Sequence, residues 1–227
     1  MAVNIKGGIN LKKKPKEQIG WYALFLVGLF IASLGVAFSA KAGLGTSPVA
    51  SVPYSISIVS QVMSFGWWLN LWSLMQIMVQ ISLLRRACKP LEILIQTILA
   101  FVYDYLTDFS CSLLAAITPA SYLEQVFWML VGCFVLALGI WIQYKGGVAM
   151  LPGEAMNRVI SRVTRKRYEN IKIAFDIVYI AVSAVICLIF TGKLQGVWEG
   201  SIVAALLVGN IIRMFNHLFG RFFGKKA

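Results

Sequence analysis

At 227 residues, with 59% hydrophobic and only 13% charged side chains and a mean hydropathy of +0.78, the chain has too little polar surface to cover a soluble globule. Its net charge of +12 does not mark a nucleic-acid binder, because the basic residues lie in short links between apolar runs, the pattern that orients a membrane protein. Cys88, Cys111, Cys133 and Cys187 form no CxxC pair and have one histidine to accompany them, so they read as small packing residues, with no metal site and no cofactor expected.

Residues 1–19 form a basic N-terminal segment expected in the cytoplasm. The apolar run that follows, with Phe38-Ser39-Ala40-Lys41-Ala42 at its end, has the outline of a signal peptide. At about 20 residues, however, it has the length of a span, and the same pattern recurs inside the chain. It is expected to be retained. Apolar runs predict six crossings, at 20–40, 67–84, 93–115, 125–144, 172–190 and 197–216. Between the first and second lies a glycine- and proline-broken segment, 43–64, and between the fourth and fifth its twin, 147–167. Each is expected to be a short helix, re-entrant or interfacial. The predicted fold class is an all-α membrane protein.

Orientation follows from the links. Lys12, Lys13, Lys14 and Lys16 precede the first run, Arg85, Arg86 and Lys89 follow the second, and Arg158, Arg162, Arg165, Lys166, Arg167 and Lys172 precede the fifth. Lys225 and Lys226 end the basic C-terminus, 220–227. Six crossings with both termini in the cytoplasm put all of these inside and leave only Lys41 and Lys193 near the outer face.

The chain repeats itself. Gly28 and Gly132, Gly35 and Gly139, Gly43 and Gly147, Pro48 and Pro152, and Ser57 and Ser161 are all 104 residues apart. Repeat 1 (20–115) and repeat 2 (124–219), joined by an outer linker (116–123), therefore hold three crossings each. An odd number makes consecutive copies enter the membrane from opposite sides, so two inverted repeats are expected, with a substrate site between the halves.

Candidate chemistry gathers at the breaks. Gly45-Thr46-Ser47-Pro48 opens the first short helix, where Thr46 or Ser47 can cap and Pro48 suits the first helical position. Pro152-Gly153-Glu154 opens the second. N–H groups at such starts lack intrahelical acceptors and attract anions. Glu154 stands four residues before Arg158, so a local ion pair competes with a role in a central cavity. Asp104 lies near mid-span, where a carboxylate is costly and marks a candidate site. Asp108, one turn further on, is expected nearer the outer water. Asp176 follows Lys172 by one turn and has a local partner in it. Asp104, Glu154 and Asp176 are the candidates for proton coupling. No nucleotide loop or nucleophile–base pair is present, so an enzyme is not expected.

Gly43-Leu44-Gly45-Thr46-Ser47-Pro48, Leu151-Pro152-Gly153-Glu154-Ala155 and Gly196-x-x-Glu199-Gly200, with Ala204-Ala205-Leu206-Leu207-Val208-Gly209, resemble the bacterial YczE/YitT-type integral membrane proteins. The resemblance covers the chain after residue 18 and implies a multi-pass inner-membrane protein without an assigned substrate.

The sequence thus points to a secondary transporter of a small polar or anionic solute, working by alternating access and coupled to a proton. Its expected partners are that solute and membrane lipid, without nucleic acid, and self-association into a homo-oligomer is compatible with the pattern. A membrane-embedded sensor or accessory subunit without transport activity is the alternative.

Overall fold

A computed structural model describes residues 15–85, 90–146, 150–192 and 199–223. Among them the regular structure is helical: α1 (Pro15–Ala42), α2 (Pro48–Val59), α3 (Phe65–Leu84), α4 (Pro90–Leu113), α5 (Tyr122–Gly146), α6 (Pro152–Thr164), α7 (Tyr168–Thr191) and α8 (Glu199–Phe223). The described residues of every predicted apolar run are helical except 114–115, which form a turn, and 197–198 lie outside the described residues. Pro48 and Pro152 open the two short helices, as a residue with fixed φ and no N–H should. Between α1 and α2 the chain turns at Gly43 (φ 77°) and Gly45 (φ 114°), backbone angles that L side chains rarely adopt. Gly147, Lys89 and Lys193 of the repeat, with Arg86 and the terminal lysines, lie outside the described residues.

Among the described residues three helices are long and apolar enough to cross a membrane: 20–42 of α1, α5 and α7. The others carry polar side chains, and α3 and α4 turn them inward. Gln76, Gln80, Asp104, Thr107 and Ser110 are buried, while Leu71, Met78, Phe101, Tyr105 and Phe109 are exposed. Water would drive the opposite arrangement, and a hydrocarbon solvent drives this one.

The centre of the molecule is the antiparallel pair α1 and α5. A Cβ on Gly35 would stand 2.5 Å from the Leu136 Cα, and one on Gly139 2.6 Å from the Ala32 Cα. Likewise a Cβ on Gly28 would stand 2.8 Å from the Gln143 nitrogen, and one on Gly132 2.8 Å from that of Ser39. Only glycine allows backbones this close, and close approach is how helices gain dispersion energy where lipid weakens the hydrophobic drive between them. The Gln143 amide donates to the Gly28 carbonyl at 3.2 Å and ties the seam.

These contacts come in exchanged pairs. The offset of 104 residues turns Gly35–Leu136 into Gly139–Ala32, and Gly28–Gln143 into Gly132–Ser39. Whole helices follow the same rule. α2 packs on α7 and α6 on α3, α1 on α4 and α5 on α8, α2 on α3 and α6 on α7. Each short helix is thus held against a long helix of the other half. The contact of α3 with α4 has no extensive counterpart among the described residues.

Candidate functional site

The starts of the two short helices meet. A Cβ on Gly153 would lie 3.1 Å from the Val49 side chain and 3.4 Å from the Gln76 side-chain oxygen. Residues 104 apart in register, Pro48 and Pro152, therefore open helices whose first turns touch. Pro53 inside α2 adds a backbone group there, because it has no N–H to bond the Val49 carbonyl four residues back. The N–H groups of Val49 and Gly153 lack intrahelical acceptors for the ordinary reason that they begin a helix.

The α3 face bounds this junction. The Gln80 amide donates to the Pro152 carbonyl at 3.1 Å, and the Gln76 amide donates to the Tyr179 hydroxyl at 3.5 Å. Tyr179 is itself oriented by Trp72, edge to face at 5.6 Å between ring centroids. Across the junction Ser183 donates to the Ser51 carbonyl at 2.9 Å and pairs with Ser55, which fixes α2 on α7. Asn157, one turn into α6, is 1% exposed and its side-chain oxygen has no partner.

The predicted site residues fall into three groups. Pro48, Pro152 and Gly153 are buried at the junction, with Gly45 in the turn that leads to it. Glu154 accepts a hydrogen bond from the Tyr144 hydroxyl at 2.8 Å, so α5 and the start of α6 are joined there. Thr46 is fully buried and its hydroxyl is without a partner. Side-chain capping of α2 by Thr46 or Ser47 was the expectation, and it is corrected. Ser47 occupies the cap position but makes no side-chain cap bond, and the Ala50 N–H bonds the Ser47 carbonyl instead, at 3.0 Å.

Among the acids, Asp176 has the local partner its spacing suggested, with Lys172 at 3.6 Å. Asp104 is 1% exposed, with the Ser73 hydroxyl beside its carboxyl group and one oxygen, Oδ2, unpartnered. Asp108 is engaged rather than solvated. It accepts from the Gly66 N–H at 2.7 Å and from the Ser64 hydroxyl, and so caps α3 from the neighbouring helix. The partner lies 42 residues away, which no local spacing rule reaches.

Sequence reasoning missed the stripe on α3: Asn70, Ser73, Gln76 and Gln80. The signal was present, since polar residues at intervals of three and four in an apolar run mark one face of a helix. Among the described residues Cys111, Cys133 and Cys187 form no disulfide, and no cluster of His, Cys, Asp or Glu could hold a metal.

No curated protein and no solved structure matches the chain. One family model does, over residues 19–217, and on that match the chain belongs to a family of unknown function, DUF6198.

Proposed function

We propose that the chain is a secondary transporter of a small polar or anionic solute in the bacterial inner membrane, built from two inverted three-span repeats and kin to the YczE/YitT-type proteins it resembles. The observation that carries this reading is the meeting of the two matched helix starts at Val49 and Gly153. Discontinuous helices whose N-termini converge between two halves are how inverted-repeat transporters hold solutes. Gln76, Gln80 and Asn157 would supply neutral hydrogen-bonding partners, the first-turn N–H groups would receive negative charge, and Glu154 would meet a positive end. The exchanged contacts support the inversion, because an antiparallel pair with reciprocal contacts is what a two-fold axis perpendicular to both helices produces. For helices that cross a bilayer, such an axis lies in the membrane plane.

Orientation has its own test. In a chain whose native cysteines are replaced, Thr164→Cys is expected to label only from the cytoplasm and Ala120→Cys only from outside. Labelling of both from one side rejects the six-span inverted arrangement.

The site is tested on purified protein with a panel of polar metabolites, scored by thermal stabilisation. A solute at 100 times its Kd is expected to add about 2.7 kcal/mol of apparent stability. Gly153→Leu should abolish that gain, because its side chain would occupy the space beside Val49 and Gln76. A panel without a stabilising member, or stabilisation that survives Gly153→Leu, would shift the reading to a sensor or accessory subunit.

A further inference from the structure

The offset of 104 residues places Val208 opposite Asp104, Ala174 opposite Asn70 and Ile177 opposite Ser73. Repeat 1 therefore has three oxygen-bearing side chains where repeat 2 has three apolar ones. They lie at the α3–α4 contact, which is also where the exchange of packing between the halves breaks down. A polar group buried in a membrane helix is costly, so a set confined to one half calls for a use that the other half does not share.

Asp104 is 1% exposed and Asn70 9% exposed, and each has an unpartnered side-chain oxygen, Oδ2 and Oδ1 respectively. Ser73 lies beside the Asp104 carboxyl group, and Asn70 stands one turn before Ser73 on the same helix. Gly66 brings the two backbones together, since its Cα faces the Asp104 carbonyl without room for a side chain. Among the described residues Asp104 has no ion-pair partner. Asn70 also lines an open, mostly apolar groove between α3 and α4, whose other walls include Gly66, Trp67, Phe101, Tyr105 and Asp108, and which neither Asp104 nor Ser73 lines.

We propose that Asp104, Asn70 and Ser73 form a binding site for a hard monovalent cation of the Na⁺ type at the α3–α4 contact. One carboxylate, one amide oxygen and one hydroxyl are all hard oxygen donors, which disfavours soft metals. A single negative charge matches a single positive one, whereas sites for divalent ions gather more carboxylates. The Asp108 carboxylate, one helical turn after Asp104, adds a negative field that favours a cation nearby. The assignment rests on the transporter reading only for the ion's role as a coupling ion. Binding itself needs no solute.

The test is therefore made without one. The purified full-length protein is melted in NaCl, KCl and choline chloride at constant ionic strength. Saturating NaCl is expected to raise Tm by about 5 °C over choline chloride. Asp104→Asn, isosteric and uncharged, should remove the shift, while Asn70→Ala and Ser73→Ala should each raise the half-maximal Na⁺ concentration about tenfold. Equal melting of the wild-type protein in NaCl and choline chloride overturns the proposal, as does a full Na⁺ shift in Asp104→Asn. Should Asp104→Asn fail to fold, unchanged half-maximal concentrations in the Asn70 and Ser73 variants overturn it instead. None of these outcomes bears on the metabolite panel, so the solute site stands or falls separately.

Discussion

Alanine at Gly35 or Gly139 is expected to cost about 3 kcal/mol, at the upper end of ordinary overpacking, and to lower Tm by roughly 6–12 °C. The new methyl would stand about 2.5 Å from a backbone Cα of the facing helix, where an ordinary carbon–carbon contact needs roughly 3.5–4 Å. Backbone cannot rotate out of the way as the end of a side chain can, so α1 and α5 must separate by about an ångström over the length of the seam. Dispersion between them is then lost at many atoms together. The exchanged geometry adds a second expectation. Gly35→Ala and Gly139→Ala in one chain should cost less than their sum, because the first has already opened the gap that the second needs. Melting followed by tryptophan fluorescence reads both. Gly20→Ala and Gly209→Ala, with nothing within 4 Å of the added atom, serve as controls and should stay within about 0.5 kcal/mol of the parent or gain slightly. A seam variant that melts with the controls would refute the close-packed pair.

Gly66→Ala is expected to cost about 2–3 kcal/mol, as a clash compounded by a lost cap. Its Cβ would stand 2.6 Å from the Asp108 Cγ and against the Asp104 carbonyl. The carboxylate that caps α3 would be pushed from the Gly66 N–H, to which it is bonded at 2.7 Å. Asp108→Ala removes that charge-assisted bond alone and should cost about 1.5–3 kcal/mol, leaving the Gly66 N–H and the Ser64 hydroxyl without their acceptor. In an Asp108→Ala background the further cost of Gly66→Ala should shrink, since one of its two obstacles has gone. Equal costs of Gly66→Ala in both backgrounds, measured by the same melts, would mean that the clash with Asp108 is unimportant.

The elements that local chemistry dictates were legible in the chain. Proline at 48 and 152 announces a helix start because its own constraints suit that position, and the glycines at 43 and 45 announce the turn before it. The repeat was legible because identical residues recur at one offset. What the repeat glycines do was not. Gly28 and Gly35 match Gly132 and Gly139 in sequence, yet that they face one another depends on the antiparallel docking of α1 on α5. The acids divided in the same way. Asp176 was explained by a neighbour on its own helix, whereas Asp108 was explained by α3, which no spacing along α4 reveals. At the junction, attention to charge and glycine passed over Gln76 and Gln80, uncharged residues that lie 1% exposed against the start of α6 and α7.

The glycine seam also restricts how the molecule can move. Its notches on each helix, Gly28 and Gly35 on α1 and Gly132 and Gly139 on α5, are seven residues apart, or about 10 Å at 1.5 Å per residue. Sliding one helix along the other by less than that drives a side chain into the opposing backbone, and sliding by the full interval strips the ends of the pair of their contacts. Translation along the seam is therefore latched. A swing about the point where the helices cross is not, because it leaves the central notches seated. The seam thus acts as a pivot rather than a slide.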